Sequence, residues 1–142
     1  MNLTHKITII MRFLTKWVTK MTTYESKPVA KWNTRDFQAY LKAEHERLYG
    51  VPYVPFRGYQ AEAGMLGRWV GTKRKPGEHG PELTKRFIDL CFAEYKPSLE
   101  YPGLSFGFMQ TFMGRNLQRA ASGLAAEQQR AERNEGVDNT WF

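Results

Sequence analysis

Apolar side chains recur at helical spacing in several stretches of the chain, and turn residues separate those stretches. The first stretch follows Asn33, whose side chain can cap a helix N-terminus, and Asp36 three residues later completes a near capping box. Gly50 suits a helix C-terminus because glycine adopts the left-handed conformation readily. A first helix is therefore predicted between Asn33 and Gly50, with Trp32 packed on Phe37. The repeating apolar positions of this helix are Phe37, Tyr40, Leu41 and Leu48.

Residues 51–56 form an apolar connection whose two prolines, Pro52 and Pro55, exclude a helix and favour extended backbone. A short edge strand fits this segment. The second helix is predicted over residues 59–70, where Gly64 and Gly67 lower the intrinsic propensity, so that tertiary packing must hold the helix. Its inward positions are Ala61, Met65, Leu66, Trp69 and Val70.

Two further helices follow a cationic loop. Pro81 suits the first turn of a third helix, which must end before Pro97. Ser105 is predicted to cap a fourth helix. The apolar stripe of the third helix comprises Leu83, Phe87, Ile88, Leu90, Cys91 and Tyr95. The inward face of the fourth is predicted to comprise Phe108, Met109, Phe112, Met113 and Leu117.

The pattern predicts a mostly α fold: one domain over residues 31–119, built as a bundle of about four helices with a basic inter-helix loop. Residues 1–30 form an N-terminal extension or arm, and residues 120–142 a C-terminal helical extension and tail. Because residues 120–135 carry few large apolar groups, a solvated helix and partial disorder both fit them. The predicted core consists of Trp32, Phe37, Leu41, Leu48, Leu66, Trp69, Phe87, Leu90, Cys91, Phe108 and Phe112.

Residues 1–20 are apolar and basic, with four Lys or Arg side chains and no acid. Three interpretations compete for this segment: a targeting peptide, a membrane-surface helix, or an upstream extension that is not part of the folded domain. Arg12 and Lys16 interrupt the apolar run, and no small-residue cleavage site follows, which disfavours a signal peptide. The run is also too short for a spanning helix, so no integral membrane protein is expected. Translation from Met21 would lower the net charge of the chain from +7 to +3.

Composition narrows the function classes. The chain has 142 residues, of which 42% are hydrophobic, 14% aromatic and 25% charged, which argues against general disorder. The net charge of +7 is typical of proteins that meet nucleic acid or an anionic membrane surface, although it also serves solubility. The single cysteine, Cys91, falls on an apolar helix face and is interpreted as a core residue in a reducing, cytoplasmic compartment.

We find no specific catalytic or cofactor motif. The chain has no GxGxxG, Walker or GxSxG sequence, and its carboxylates are scattered as helix surface charges. The three histidines lie far apart, without metal-ligand spacing, and His45 stands in a charged run typical of a solvated face. The sequence therefore predicts a non-enzyme that needs no cofactor or metal.

Residues 68–86 concentrate the positive charge. Six cations and two acids give a local excess of four, most of it in the Lys73-Arg74-Lys75 run of the loop. Such a group neutralises phosphates without reading base sequence, and about 4 to 6 contacts would make the affinity fall steeply with salt. DNA is expected more than RNA, and a solvated loop without a partner is the alternative. The predicted nucleic-acid-binding residues are Arg68, Lys73, Arg74, Lys75, Lys85, Arg86, Arg115 and Arg119.

A protein partner is the second hypothesis. Tyr53 and Phe56 in the extended connection offer aromatic surface, and the chain ends on Trp141 and Phe142. Exposed aromatic side chains are typical anchors of protein interfaces, so these four residues are predicted to bind a host or phage replication or transcription protein. A C-terminal pair that folds back onto the domain is the alternative, and a homo-oligomer is left open.

Residues 65–119 resemble the small helical modules of DnaD-like replication-initiation proteins and bacteriophage replisome organisers. The order of parts carries the resemblance: a helix with Leu66 and Trp69, a glycine-containing turn, the Pro81 helix and an aromatic-rich helix. The family's closing Tyr-x-x-x-Ile-x-x-x-Trp motif is met loosely by Phe108, Phe112 and Asn116, with no closing Trp. The resemblance implies a phage or mobile-element DNA-binding accessory that acts in replication initiation or transcription and also contacts other replication proteins.

Overall fold

The computed structural model describes residues 24–140, with side chains as far as residue 135. A short 3₁₀ turn (Val29–Lys31) precedes five α-helices, and the described part of the chain contains no strand. The helices are α1 (Thr34–Tyr49), α2 (Tyr59–Val70), α3 (Pro81–Glu94), α4 (Phe106–Phe112) and α5 (Arg115–Thr140). The predicted mostly α class is confirmed, with five helices where about four were expected.

The start and end of α1 follow the predicted local chemistry. Asp36 N–H donates to Asn33 Oδ1 and Asn33 N–H donates to Asp36 Oδ2, each over 3.0 Å, which completes the capping box. Gly50 ends the helix with φ of 71°. Trp32 packs edge-on against Phe37 with ring centroids 5.2 Å apart, as predicted.

The predicted core position of Leu48 is wrong, because its side chain is 43% exposed. The inward face of α1 runs from Phe37 through Leu41 to His45 at steps of four residues. Tyr49 continues that row and packs on Phe92 in α3 and on Tyr95, the residue that follows α3. Leu48 therefore turns away from the core in the last turn of α1.

The predicted fourth helix is divided in two. It ends at Phe112, and the N–H groups of Asn116 and Leu117 donate to the carbonyls of Met113 and Gly114, which starts α5. Phe106, which the sequence pattern missed, is fully buried against Trp69, and Met109 and Met113 are buried on the same face. Phe108 and Phe112, predicted to lie in the core, are 40% and 71% exposed. The predicted inward positions of Met109 and Met113 are confirmed, whereas those of Phe108 and Phe112 are wrong, because the helical period alone does not separate neighbouring faces.

Helix α5 packs along α3. Its fully buried Ala120 brings the two helices close, and residues 120–140 are helical. None of the helices within residues 24–140 combines the length and the apolarity that crossing a bilayer requires.

Residues 51–56 are held by side-chain hydrogen bonds and form no edge strand, which corrects that expectation. Two prolines remove backbone donors from this segment. The carbonyl of Val51 accepts from His45 Nδ1 over 3.0 Å, and His45 Nε2 accepts from the N–H of Leu104 over 3.0 Å. His45 is buried, so its expected place on a solvated face is also wrong.

A buried network joins the same segment to α2 and α4. The Tyr53 hydroxyl donates to Glu62 Oε1 and accepts from the N–H of Phe106, and Glu62 Oε2 accepts from the N–H of Phe56 over 3.0 Å. Glu62 has no exposed surface. Burial raises the pKa of the Glu62 carboxyl, although the hydrogen bonds from Tyr53 and Phe56 oppose this shift.

Glu62 therefore gives a pH-dependent contribution to stability. Because its pKa is raised in the folded state, its contribution is fully present below the ordinary pKa and is lost as pH rises through the folded value. We expect the unfolding free energy of wild type minus that of Glu62→Gln to fall between acid and neutral pH. The fall should be about 1.4 kcal/mol for each unit between the folded and unfolded pKa values. Urea unfolding across pH measures it.

The control is Glu46→Gln, which removes an exposed carboxylate from α1. It should not reproduce the fall. A wild-type minus Glu62→Gln difference that stays constant or grows with pH would contradict the assignment.

Candidate nucleic-acid interface

The cationic loop between α2 and α3 is a closed, hydrogen-bonded turn. Gly71 ends α2 with φ of 91° and forms an antiparallel bridge with Pro76. Thr72 N–H donates to the carbonyl of Lys75 over 2.8 Å. The Thr72 hydroxyl accepts from the N–H groups of Arg74 and Lys75 at 3.3 and 3.2 Å. We call residues 72–75 the basic turn.

The base of the basic turn is fixed to the end of α2. Glu78 N–H donates to the carbonyl of Arg68, and the N–H groups of His79 and Gly80 donate to that of Trp69, over 2.8 to 3.0 Å. These are carbonyls of the last helical turn, which a helix cannot satisfy internally. The His79 ring packs on Trp69 with centroids 4.5 Å apart. Backbone hydrogen bonds therefore attach the turn to the end of α2, directly before the start of α3.

Two glycines allow the two sides of the turn to approach each other closely. A Cβ on Gly77 would lie 2.4 Å from Gly71 N, from Trp69 O and from Val70 C. One on Gly71 would lie 2.3 Å from Gly77 N. All of these neighbours are backbone atoms, which cannot move aside as a flexible side chain would.

Four of the eight predicted cations are exposed and have neither an ion pair nor a side-chain hydrogen bond within the described part of the chain. They are Arg68 at the end of α2 and Lys73, Arg74 and Lys75 in the basic turn. Three successive cations on a fixed turn form a concentrated positive surface. We expect such a surface to attract phosphate groups.

Lys85 and Arg86 are engaged within the fold. Lys85 Nζ lies 2.7 Å from Asp89 Oδ2 and 5.1 Å from the centre of the Tyr40 ring. Arg86 donates to Glu127 on α5, and this hydrogen bond lowers the pKa of the Glu127 carboxyl. Any phosphate that recruits these cations competes with carboxylates already in place.

Arg115 and Arg119 lie beyond the other end of α3. Arg115 pairs with Glu94, the last residue of α3, and Arg119 donates to Asn116 Oδ1 over 3.0 Å. Asn116 also donates to Glu94 Oε2 and to Cys91 Sγ, over 2.6 and 3.5 Å. The hydrogen bonds from Asn116 and then Arg115 lower the pKa of the Glu94 carboxyl. Since 14 residues of helix span about 21 Å, these cations are not gathered with the basic turn.

The four predicted partner-binding residues have different placements. Tyr53 is buried in the Glu62 network, so the prediction that it offers exposed aromatic surface is wrong. Phe56 is partly exposed, and its ring faces the Arg57 guanidinium at 5.2 Å. Trp141 and Phe142 lie outside the described residues, as do residues 1–20 and Met21.

Sequence reasoning missed Thr72 as an organiser of the site. Its hydroxyl closes the basic turn, and a threonine followed by Lys-Arg-Lys-Pro-Gly carried the signal, because hydroxyl side chains commonly accept from backbone groups two or three residues later. Between residues 24 and 140, no group of three His, Cys, Asp or Glu side chains is arranged to hold a metal ion.

Comparison with protein-family models, curated proteins and solved structures finds no match for this chain. The resemblance to DnaD-like modules stays a prediction.

The close approach of Gly71 and Gly77 predicts that alanine has opposite effects on stability at Gly77 and at Gly64. Gly77→Ala should destabilise the protein by about 1 to 3 kcal/mol, since the new methyl group overlaps backbone atoms. Gly64→Ala, in the middle of α2 with no atom within 4 Å of the new Cβ, should stabilise it by about 0.5 to 1 kcal/mol. Chemical denaturation measures both, and equal effects of the two substitutions would contradict the described close approach.

Proposed function

We propose that this protein is a small, cytoplasmic, non-enzymatic accessory that binds nucleic acid, DNA in preference to RNA, through the basic turn. The observation that supports this most directly is the run of three exposed cations on a turn closed by its own hydrogen bonds. A preformed turn loses little conformational freedom on binding, so more of the phosphate attraction appears as affinity.

The proposed contact is to phosphates rather than to bases. Trp69 at the base of the turn is buried and His79 is partly buried, so neither presents a free ring face for base stacking. Lysine and arginine contacts to phosphate position a protein on a nucleic acid but carry no sequence information. Binding is therefore expected to tolerate different sequences.

The ion pairs lower the expected number of phosphate contacts. Four cations, Arg68 with Lys73, Arg74 and Lys75, are free of carboxylate partners among the described residues. With about 0.9 unit of log-log salt slope for each phosphate neutralised on duplex DNA, four contacts give a slope of about −3.6.

A role in replication initiation or transcription, in a phage or mobile element, is part of the same proposal. It is supported by the resemblance of residues 65–119 to DnaD-like modules. The helix order behind that resemblance, with α2, the basic turn, α3 and α4, is present in the fold.

Removal of the charges of the turn tests the proposal. Lys73→Ala, Arg74→Ala and Lys75→Ala together should remove most duplex DNA binding at low salt and reduce the salt slope to about −0.9, the contribution of Arg68. Fluorescence anisotropy of a labelled duplex over a range of salt concentrations measures both. The fold should persist because all three side chains are exposed.

The matched control removes the same charge elsewhere. Lys31→Ala, Arg35→Ala and Lys42→Ala together lower the net charge by the same amount at three exposed positions around α1. This variant should keep the wild-type slope. Equal losses in the two variants would mean that net charge alone drives binding, and unchanged binding in the turn variant would exclude the turn as the site.

A protein-protein adaptor or inhibitor is the second hypothesis, and the partial exposure of Phe56 favours it. It predicts a host protein that copurifies after nuclease treatment and at high salt, because apolar contacts are not screened. Removal of residues 137–142 or Phe56→Ala should then weaken that capture. Copurification that nuclease abolishes would instead support the nucleic-acid proposal.

A further inference from the structure

An exposed apolar face surrounds Phe108 where α3 ends and α4 begins. Phe108 and Phe112 lie with ring centroids 4.8 Å apart, and Tyr95 packs edge-on against Phe108 at 6.1 Å. Tyr101 is exposed next to them, and its carbonyl accepts from the Tyr95 hydroxyl over 2.7 Å. Large apolar side chains grouped in this way usually mark an interaction surface. We call it the Phe108 face.

Phe108 separates two grooves in this face. One groove, of about 340 Å³, has an aliphatic lining that includes Val51, Val54 and Leu104. The other, of about 380 Å³, is lined by Phe112 itself, with Tyr95 and Met113. The face therefore carries both a projecting ring, Phe112, and an apolar groove that can receive a ring, since a cavity of about 150 Å³ already holds benzene.

The rim of the Phe108 face is electrically balanced. Lys96 and Glu100 are exposed on the loop between Tyr95 and Tyr101 and carry no ion pair within the described residues. Arg115 and Glu94 neutralise each other at the second groove. Four charged groups thus sum to zero in a chain of net +7. A second copy of the chain can approach here without the repulsion that the rest of its charge creates.

We propose that the Phe108 face binds a second copy of this chain across a two-fold axis. Phe112 of each copy enters the aliphatic groove of the other, and Lys96 of each copy meets Glu100 of the other. A two-fold interface must be complementary to itself, with a projection and a recess and with both signs of charge on one surface. The Phe108 face meets each of these conditions.

A nucleic-acid strand fits the Phe108 face less well. Its two cations are balanced by two carboxylates, so the rim has no net attraction for phosphate, and the lining of one groove is mostly aliphatic, with Phe108 as its exposed ring. The face also lies at the opposite end of α3 from the basic turn, about 21 Å away along the helix. Self-association therefore leaves both basic turns free and does not depend on the proposed DNA binding.

Sedimentation equilibrium of the purified full-length protein, without nucleic acid, tests the proposal. Wild type should shift with concentration from the 16.5 kDa monomer to twice that mass. Phe112→Asp should raise the dimer Kd by at least about tenfold, because it removes a central aromatic anchor. Ala125→Asp should not, although it adds the same charge at an exposed position about 15 Å along α5 from Arg115.

Charge reversal identifies the second copy as the partner. Lys96→Glu and Glu100→Lys should each weaken self-association, because like charges then face each other. A mixture of the two single variants should form a mixed dimer, since every facing pair is again of opposite sign. Helical circular dichroism confirms that each variant is folded.

Three results would overturn the proposal: a wild-type protein that stays monomeric at all attainable concentrations, a Phe112→Asp variant that dimerises as wild type, or charge variants that do not recover on mixing. Binding of another protein to monomeric wild type would assign the face to that protein.

Discussion

The Glu62 carboxylate holds together parts of the chain that have no other regular connection. Helix α2 presents it to residues 51–56, whose prolines prevent a ladder of backbone hydrogen bonds. The Tyr53 hydroxyl in turn accepts a hydrogen bond from the N–H of Phe106, the first residue of α4. Glu62, together with His45, therefore supplies through side chains the hydrogen bonds that a strand would have supplied, and Glu62 does so only while its own partners remain in place.

Helix α2, which carries Glu62, also lies against α1, and the carbonyls at its C-terminus accept from the chain that returns from the basic turn. The same backbone groups that end α2 thus position the three exposed cations. Helix α5 is attached mainly to α3, where Ala120 permits close packing and the Arg86 and Arg115 ion pairs cross the boundary.

Local signals in the sequence predicted much of this architecture. The Asn33 capping box, Gly50, Pro81 and Ser105 each act on neighbouring backbone, so their effects could be predicted without knowledge of the fold. The positions of Phe106, Phe108 and Phe112 could not, because one helical period fits two faces and the packing of Phe106 on Trp69 and Phe87 selects between them. His45 shows the same limit, since its charged neighbours in sequence conceal partners that come from residues 51 and 104.

The candidate site, too, could be predicted from the sequence only in part. The presence of a basic loop could be predicted from composition, whereas the separation of its free cations from the paired ones could not. Lys85 and Arg86 are close to the loop in sequence, but Asp89 and Glu127 pair with them in the fold. Asp89 follows Lys85 by four residues, so the helix brings their side chains together. Glu127 lies beside Arg86 only because α5 packs on α3.

The only cysteine of the sequence gives the chain a natural reporter. Cys91 is buried on α3 where Asn116 of α5 covers it, and burial raises the pKa of its thiol to about 11. A thiol that is buried and protonated does not react, so reaction requires that the chain first expose it. Its modification rate therefore measures how often α5 separates from α3, and comparison with the rate of global unfolding would distinguish local opening of that helix from loss of the whole fold.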